Sequence, residues 1–423
     1  MRKWFKLDNA ANIYPSTQTS EWSALFRMSV TLSDDVDLWI LEEAQINTLK
    51  RFPSFASRLS KGLFWHFFEQ IDGAPPILED IYNPTQPLRF RRNRYFMYRL
   101  LYHKNRISAE FFHALTDGTG AMTFLLSLVA EYLHLKNGLQ VVPSKYVLRC
   151  SDSPQPEEYE DAFQRYAGDN SLGLIETPSY HYDGTVVPLN KLLIISSEMP
   201  TEALHDKAKE FGTSIGVFLA AVLIYSIYKK QKSEMSQRAL RYDAKISVPI
   251  NLRRFFPSKT VRNFSTFINP GIKSRLGDYS FEEVLEQVEH FMGMNITEKE
   301  LNARFSSYVK IEKNLLLRIV PLFVKDLFLK IGHSLVANRT SASTISNLGK
   351  VEVDEAMGQF ITRIDFMLGR SYGKRASCAC VSYNGKTVIN FSRTIVEADV
   401  ERIFFRQLVD MGIPVAIESN GRG

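Results

Sequence analysis

The chain has 423 residues, 45% of them hydrophobic and 23% charged. That balance fits a globular protein of two or three domains and excludes a disordered or low-complexity chain. The net charge of +6 is spread along the sequence, apart from the runs 89–94 and 229–232, which argues against a nucleic-acid binder and suits an anionic ligand carrying phosphates.

The first residues lack the apolar core of a signal peptide, and no run of about 18 uncharged apolar residues follows, so no spanning helix is expected. Residues 6–15 read as irregular and turn-rich. A strand is predicted over 22–32. A helix is predicted over 36–52, with Leu38, Leu41, Leu49 and Phe52 near one face, Asp34 or Asp35 as its cap and Pro53 as its stop. A short aromatic strand over 63–68 precedes the prolines 75, 76, 84 and 87. Two strands over 95–102 and 106–112, joined at 103–105, form a hairpin. The helix after it places Met122, Leu125, Leu126, Val129 and Leu133 on one stripe.

Residues 151–184 are acidic and proline-bearing at their start and read as a crossover linker, with the domain boundary near 185. The second half opens with a strand over 190–197 and a helix from Thr201 to a break at Gly212. A longer apolar helix over 215–228 is capped by Thr213 or Ser214. Ile246, Val248 and Ile250 alternate as in a strand. Capping boxes at Ser280/Glu283 and Thr297/Glu300 each open a helix. The stretch 315–335, with Pro321 as a start or kink, reads as an amphipathic helix whose apolar face is buried against the core in preference to docking on lipid or a partner. Strands over 376–383 and 386–393 flank Asn384-Gly385, a type I′ hairpin signal. A last helix over 398–411 ends at Gly412. The three cysteines, Cys150, Cys378 and Cys380, make no disulfide framework and no metal site, so a reduced, cytoplasmic, metal-free protein is the reading. The 29 Phe and 18 Tyr fill a core or line an apolar tunnel.

Chemistry concentrates where the hairpin meets the helix, at His113-Ala-Leu-Thr-Asp117-Gly118. A strand end and a helix start hold such a loop rigid while leaving it accessible. Imidazole suits proton removal from a hydroxyl or thiol near neutral pH. Asp117 either touches the imidazole, as in a triad, or turns away to pair with an arginine and aim the loop. The plainer alternatives are a turn histidine and a helix N-cap. Gly118 and Gly120 leave the backbone open to a long thin ligand. The chain carries no nucleophile elbow, phosphate-binding P-loop, zinc-protease helix or dinucleotide fingerprint.

His113-Ala-Leu-Thr-Asp-Gly118 resembles the H-x-x-x-D-G motif of the chloramphenicol-acetyltransferase-like acyltransferase superfamily. Residues 6–15, 248–253, 262–264, 346–349 and 381–386 resemble further segments of its bacterial alcohol acetyltransferase-like and condensation-domain-like members, in order along nearly the whole chain. Phe112 stands where condensation domains carry a second histidine, and no D-F-G-W-G motif occurs, residues 364–369 being a faint echo. The resemblance implies an α/β fold of two CAT-like sandwich subdomains with a tunnel between them, here over 1–184 and 185–423. It implies His113 as general base, Asp117 as a brace paired with Arg253, Ser346 or Asn347 as an oxyanion donor, and Gly118 and Gly120 along the substrate path. It implies an acyl-CoA or acyl-carrier-protein thioester as co-substrate with no bound cofactor, a small alcohol as acceptor, and a monomer. A non-catalytic member that binds a hydrophobic ligand is the alternative outside enzymes.

Overall fold

In the computed structural model, which describes residues 3–19, 22–81, 83–173, 176–332, 339–371 and 373–421, the hairpin ahead of His113 forms from strands Tyr98–His103 and Arg106–Phe112. It sits inside a mixed sheet ordered Ile361–Leu368, Leu25–Leu32, Arg106–Phe112, Tyr98–His103 and Ile77–Glu79. Helices Leu38–Arg51 and Gly118–Asn137 pack together on this layer. Between them Phe55 and Phe124 stack at 4.5 Å, with Phe52, Tyr98 and Phe111 edge-on to Phe124. Burying such a ring contributes roughly 2–3 kcal/mol. The first helix is capped by Asp37, not by Asp34 or Asp35. Its Oδ1 accepts from the Trp39 and Ile40 amides, which only the residue immediately before the first turn reaches. Helix Gly118–Asn137 is buried beyond its apolar stripe: Ser127 Oγ accepts from the Leu148 amide and Glu131 from Asn47, so polar side chains on the other face are satisfied by covering segments.

A second sheet runs Ser265–Ile268, Ala244–Asn251, Ser343–Lys350, Ala376–Tyr383, Lys386–Arg393, Leu193–Pro200 and Ala416–Ser419, with Gly271–Ile272 also on Ala244–Asn251. Ser343–Lys350 is parallel to both its neighbours. The hairpin at 384–385 forms with both turn residues at positive φ, 46° and 75°. Cys378 and Cys380 are buried in the core of this lobe, and burial pushes the Cys380 thiol up to about 12. Helix Ile215–Ser233, capped by Ser214, crosses this layer beside Phe281–Asn295 and Asp399–Asp410. Ser280 and Glu283 form a reciprocal capping box, whereas Thr297 caps one way only. Strand Ala416–Ser419 was not predicted: all four residues are exposed, so no apolar alternation marks it. A small sheet joins Trp4–Lys6, His66–Gln70 and Ser57–Lys61, which moves the strand predicted over 63–68 toward its C-terminal end.

The halves predicted as 1–184 and 185–423 exchange a strand. Ile361–Leu368 leaves the second half and pairs antiparallel with Leu25–Leu32 in the first sheet. Its other side lies on the second sheet, where Asn390 Nδ2 donates to Phe366 O (3.0 Å) and Arg363 Nη2 to Ser196 Oγ (2.8 Å). The linker is clamped to the first lobe by a bidentate Arg51–Glu158 pair.

One expectation is reversed. The stretch predicted as a core-facing helix forms two short helices, Leu315–Arg318 and Leu322–Gly332, broken at Pro321, and most of its large apolar side chains face outward. Residues 333–335 lie outside the described residues. Among the described residues no single helix is long and apolar enough to cross a membrane.

Candidate active site

His113 follows the last residue of strand Arg106–Phe112, its amide donating to Ala24 O (2.9 Å). Its imidazole is sandwiched by rings. Tyr14 stacks on one face at 4.6 Å and 14°, and Phe26 meets it edge-on at 5.1 Å. The Nδ1 atom lies 3.1 Å from Asn263 Oδ1. The amide's orientation follows from its other end, where Nδ2 donates to Asp8 Oδ2 and Ala114 O, both at 3.3 Å. Asn263 Oδ1 is therefore the acceptor and Nδ1 carries the proton, which leaves Nε2 with a lone pair. Burial lowers the His113 pKa below its ordinary value, opposed by the Asp117 charge and the Asn263 bond. The ring is thus held neutral at pH 7.

Asp117 turns away from the imidazole. Its Oδ1 accepts from the Thr119 and Gly120 amides, capping helix Gly118–Asn137, and its Oδ2 accepts from Arg253 Nη1 and the Phe264 amide, both at 2.8 Å. Arg253 in turn donates to Thr260 O and Arg262 O. This carboxylate therefore pins the 260–264 loop, with Asn263 on it, against the start of the helix. Asp8 is fully buried in this cluster: it accepts from the Ala11 amide and pairs with Arg262 at 3.4 Å. Burial drives its carboxyl pKa upward, Arg262 opposing.

The glycines behave differently from their expected part in a substrate path. A Cβ on Gly120 would lie 1.9 Å from Val261 O and 2.3 Å from Thr116 Oγ1, so backbone fills the space a ligand was expected to use. A Cβ on Gly118 would meet the Leu348 side chain at 2.8 Å. That contact brings strand Ser343–Lys350 of the second sheet to the helix behind His113. Ser346 is half-buried on that strand. Asn347 is exposed and its Oδ1 accepts from the Gly349 amide at 2.7 Å. Asn263, Asp8 and Tyr14 were not singled out from sequence. They stand within segments 6–15 and 262–264, where Asn and Asp read as ordinary turn formers.

No protein-family model matches the chain, and no curated protein matches it. Solved structures do. Polyketide synthase associated protein 5 from Mycobacterium tuberculosis superposes with a TM-score of 0.62 at 12% identity, over 95% of this chain and 96% of that one. The starter condensation domain of rhizomide synthetase, solved with C8-CoA and Leu-SNAC, matches at 0.60 and 11%, over 96% and 93%. TRI101 of F. graminearum, complexed with ethyl coenzyme A, matches at 0.60 and 12% over the full length of both chains. At such identities the likeness is one of fold: the chain has the two-lobed α/β architecture of condensation domains and CAT-like acyltransferases, as the H-x-x-x-D-G resemblance implied.

Proposed function

We propose that this protein is an acyltransferase that moves an acyl group from an acyl-CoA thioester to an alcohol hydroxyl, with His113 as general base. The observation that carries the reading is the clamp on the imidazole: Asn263 holds Nδ1–H and leaves Nε2 free to accept a proton. In the reaction Nε2 takes the acceptor's hydroxyl proton as its oxygen attacks the thioester carbonyl directly. The tetrahedral oxyanion collapses, the C–S bond breaks, and the thiolate recovers the proton from His113. No acyl-enzyme forms. Asp117 braces through Arg253, and the Ser346 hydroxyl or the Asn347 side-chain NH2 is the oxyanion donor; the Asn347 amide oxygen accepts from the Gly349 amide, which leaves its NH2 end to donate. His113 and Asn263 come from one chain, which suits a monomer.

The test is purified protein with a panel of acyl-CoAs and alcohols, following free-thiol release. His113→Ala is expected to abolish release while leaving the circular dichroism spectrum unchanged. Turnover surviving in that variant sinks the base assignment. A carrier-protein thioester as donor is favoured by one feature, the exposed Arg89, Arg91, Arg92 and Arg94. Charge reversal there is expected to slow transfer from a carrier-bound acyl group and spare transfer from CoA. Unchanged transfer from the carrier-bound acyl group in that variant removes the carrier reading.

A further inference from the structure

Helices Leu315–Arg318 and Leu322–Gly332 carry a broad, outward-facing apolar face. Leu315 and Leu316 are each 74% exposed, Ile319 68%, Phe323 76%, Leu327 57% and Phe328 68%. The exposed Leu63 and Trp65 adjoin them, since the Leu322 amide donates to Leu63 O and Lys325 Nζ to Phe64 O. Scattered surface leucines are ordinary, but a contiguous face of this kind marks a binding surface.

The exposed charges of residues 312–332 have one sign. Lys313, Arg318 and Lys330 are exposed and Lys325 is half-buried. The acids of the same stretch are turned inward. Glu312 accepts from Lys6 and from Asn9 Nδ2, and Asp326 accepts from Ser16 Oγ at 2.6 Å and lies 3.2 Å from His66 Nε2. The Asp326 bonds also fix helix Leu322–Gly332 to the body, so its apolar side chains are presented outward from a fixed base.

We propose that this face docks the protein on an anionic lipid surface. Leu, Ile and Phe side chains would enter the headgroup–acyl boundary while the basic rim meets the lipid phosphates. Each basic residue near such a surface strengthens binding roughly fivefold at low salt. A second copy of the chain fits less well. Around a two-fold axis the face would oppose itself, bringing Arg318 and Lys330 toward their own counterparts while Glu312 and Asp326 are already engaged. The position has a further meaning. Helix Ile13–Thr17, packed against Leu322–Gly332, carries Tyr14, which stacks on His113. Docking would thus bring the lipid surface close to the imidazole. The docking itself does not depend on the acyl-transfer reading.

The full chain is sedimented with vesicles of phosphatidylcholine alone and of phosphatidylcholine with phosphatidylglycerol. Binding is expected to the mixed vesicles and to weaken as salt rises. Phe323→Ser/Phe328→Ser is expected to weaken it roughly tenfold or more, and Arg318→Glu/Lys330→Glu comparably. Circular dichroism and thiol release from soluble substrates should be unchanged in both variants. Absent binding, or equal binding by wild type and variants, overturns the proposal. So does a dimer in vesicle-free buffer that Phe323→Ser/Phe328→Ser converts to monomer, which assigns the face to a second copy.

Discussion

Asp117→Asn separates a brace from a triad member. The carboxylate accepts four hydrogen bonds, two on each oxygen: the Thr119 and Gly120 amides on Oδ1, and Arg253 Nη1 and the Phe264 amide on Oδ2. Whichever way an asparagine amide is placed, its NH2 faces two N–H donors. At least two bonds are lost, one to a charged partner in one of the two orientations. Charge-assisted bonds of this kind contribute about 1.5–3 kcal/mol each. Stranding the buried Arg253 adds a penalty, partly offset because the guanidinium keeps its bonds to Thr260 O and Arg262 O. The expected loss is about 3 kcal/mol, or about 6 °C in the thermal midpoint at roughly 2 °C per kcal/mol. Turnover per folded molecule should fall with the displaced 260–264 loop, and the acid limb of the pH–rate profile should move somewhat lower, because the Asp117 charge no longer supports the His113 cation. A variant with an unchanged midpoint refutes the reasoning, because the four hydrogen bonds to Asp117 would then not be bracing the loop.

Asn263→Leu removes the Nδ1 acceptor at similar volume, and kcat should drop about 100-fold with little change in KM, measured by steady-state thiol release. Gly120→Ala forces a methyl into the Val261 carbonyl, backbone that cannot swing aside, and should cost about 3 kcal/mol or more in a melting experiment. Gly138→Ala, in open space at φ 69°, should cost only about 1 kcal/mol in the same assay. The acid limb of kcat/KM should lie below the ordinary imidazole value of 6.5, because burial disfavours the His113 cation. The same depression links to stability. The unfolded chain binds the proton first, so the contribution of His113 is full above 6.5, declines as pH falls below it, and is gone once the folded pKa is passed. His66 and His181 are shifted in the same direction by burial, so the acid-side decline in a thermal-midpoint pH series should exceed that of one histidine.

The local parts of the site were legible and the convergent parts were not. His113 and Asp117 announce themselves by spacing, the strand before them and the helix after them. Asn384-Gly385 announces its hairpin because both positions need positive φ. Asn263 lies 150 residues from His113, in a loop whose sequence reads as turn, and nothing in its neighbourhood tells which side chain it meets. Tyr14 is similar: the 6–15 segment has no periodicity that would aim a ring. Ile361–Leu368 was not predicted as a strand, and nothing in its sequence marks the sheet it joins. The 315–332 stretch shows the converse limit. Amphipathic spacing reveals that a helix has an apolar face, but not whether protein covers it.

The exchanged strand sets an order of assembly. Thr362 Oγ1 donates to Thr31 O across 331 residues of chain, and Ile361–Leu368 supplies an edge of the first sheet. On a ribosome the N-terminal lobe would have its hairpin, its helices and its histidine long before that edge arrives. Until then Leu25–Leu32 presents an open row of backbone donors and acceptors, the kind of edge that pairs with other chains. The clamp on His113 waits as well, since Arg253 and Asn263 also come from beyond the midpoint of the sequence. A chain cut between the lobes should therefore give an N-terminal piece prone to association and lacking the groups that orient its base, and the two pieces should regain both only when refolded together.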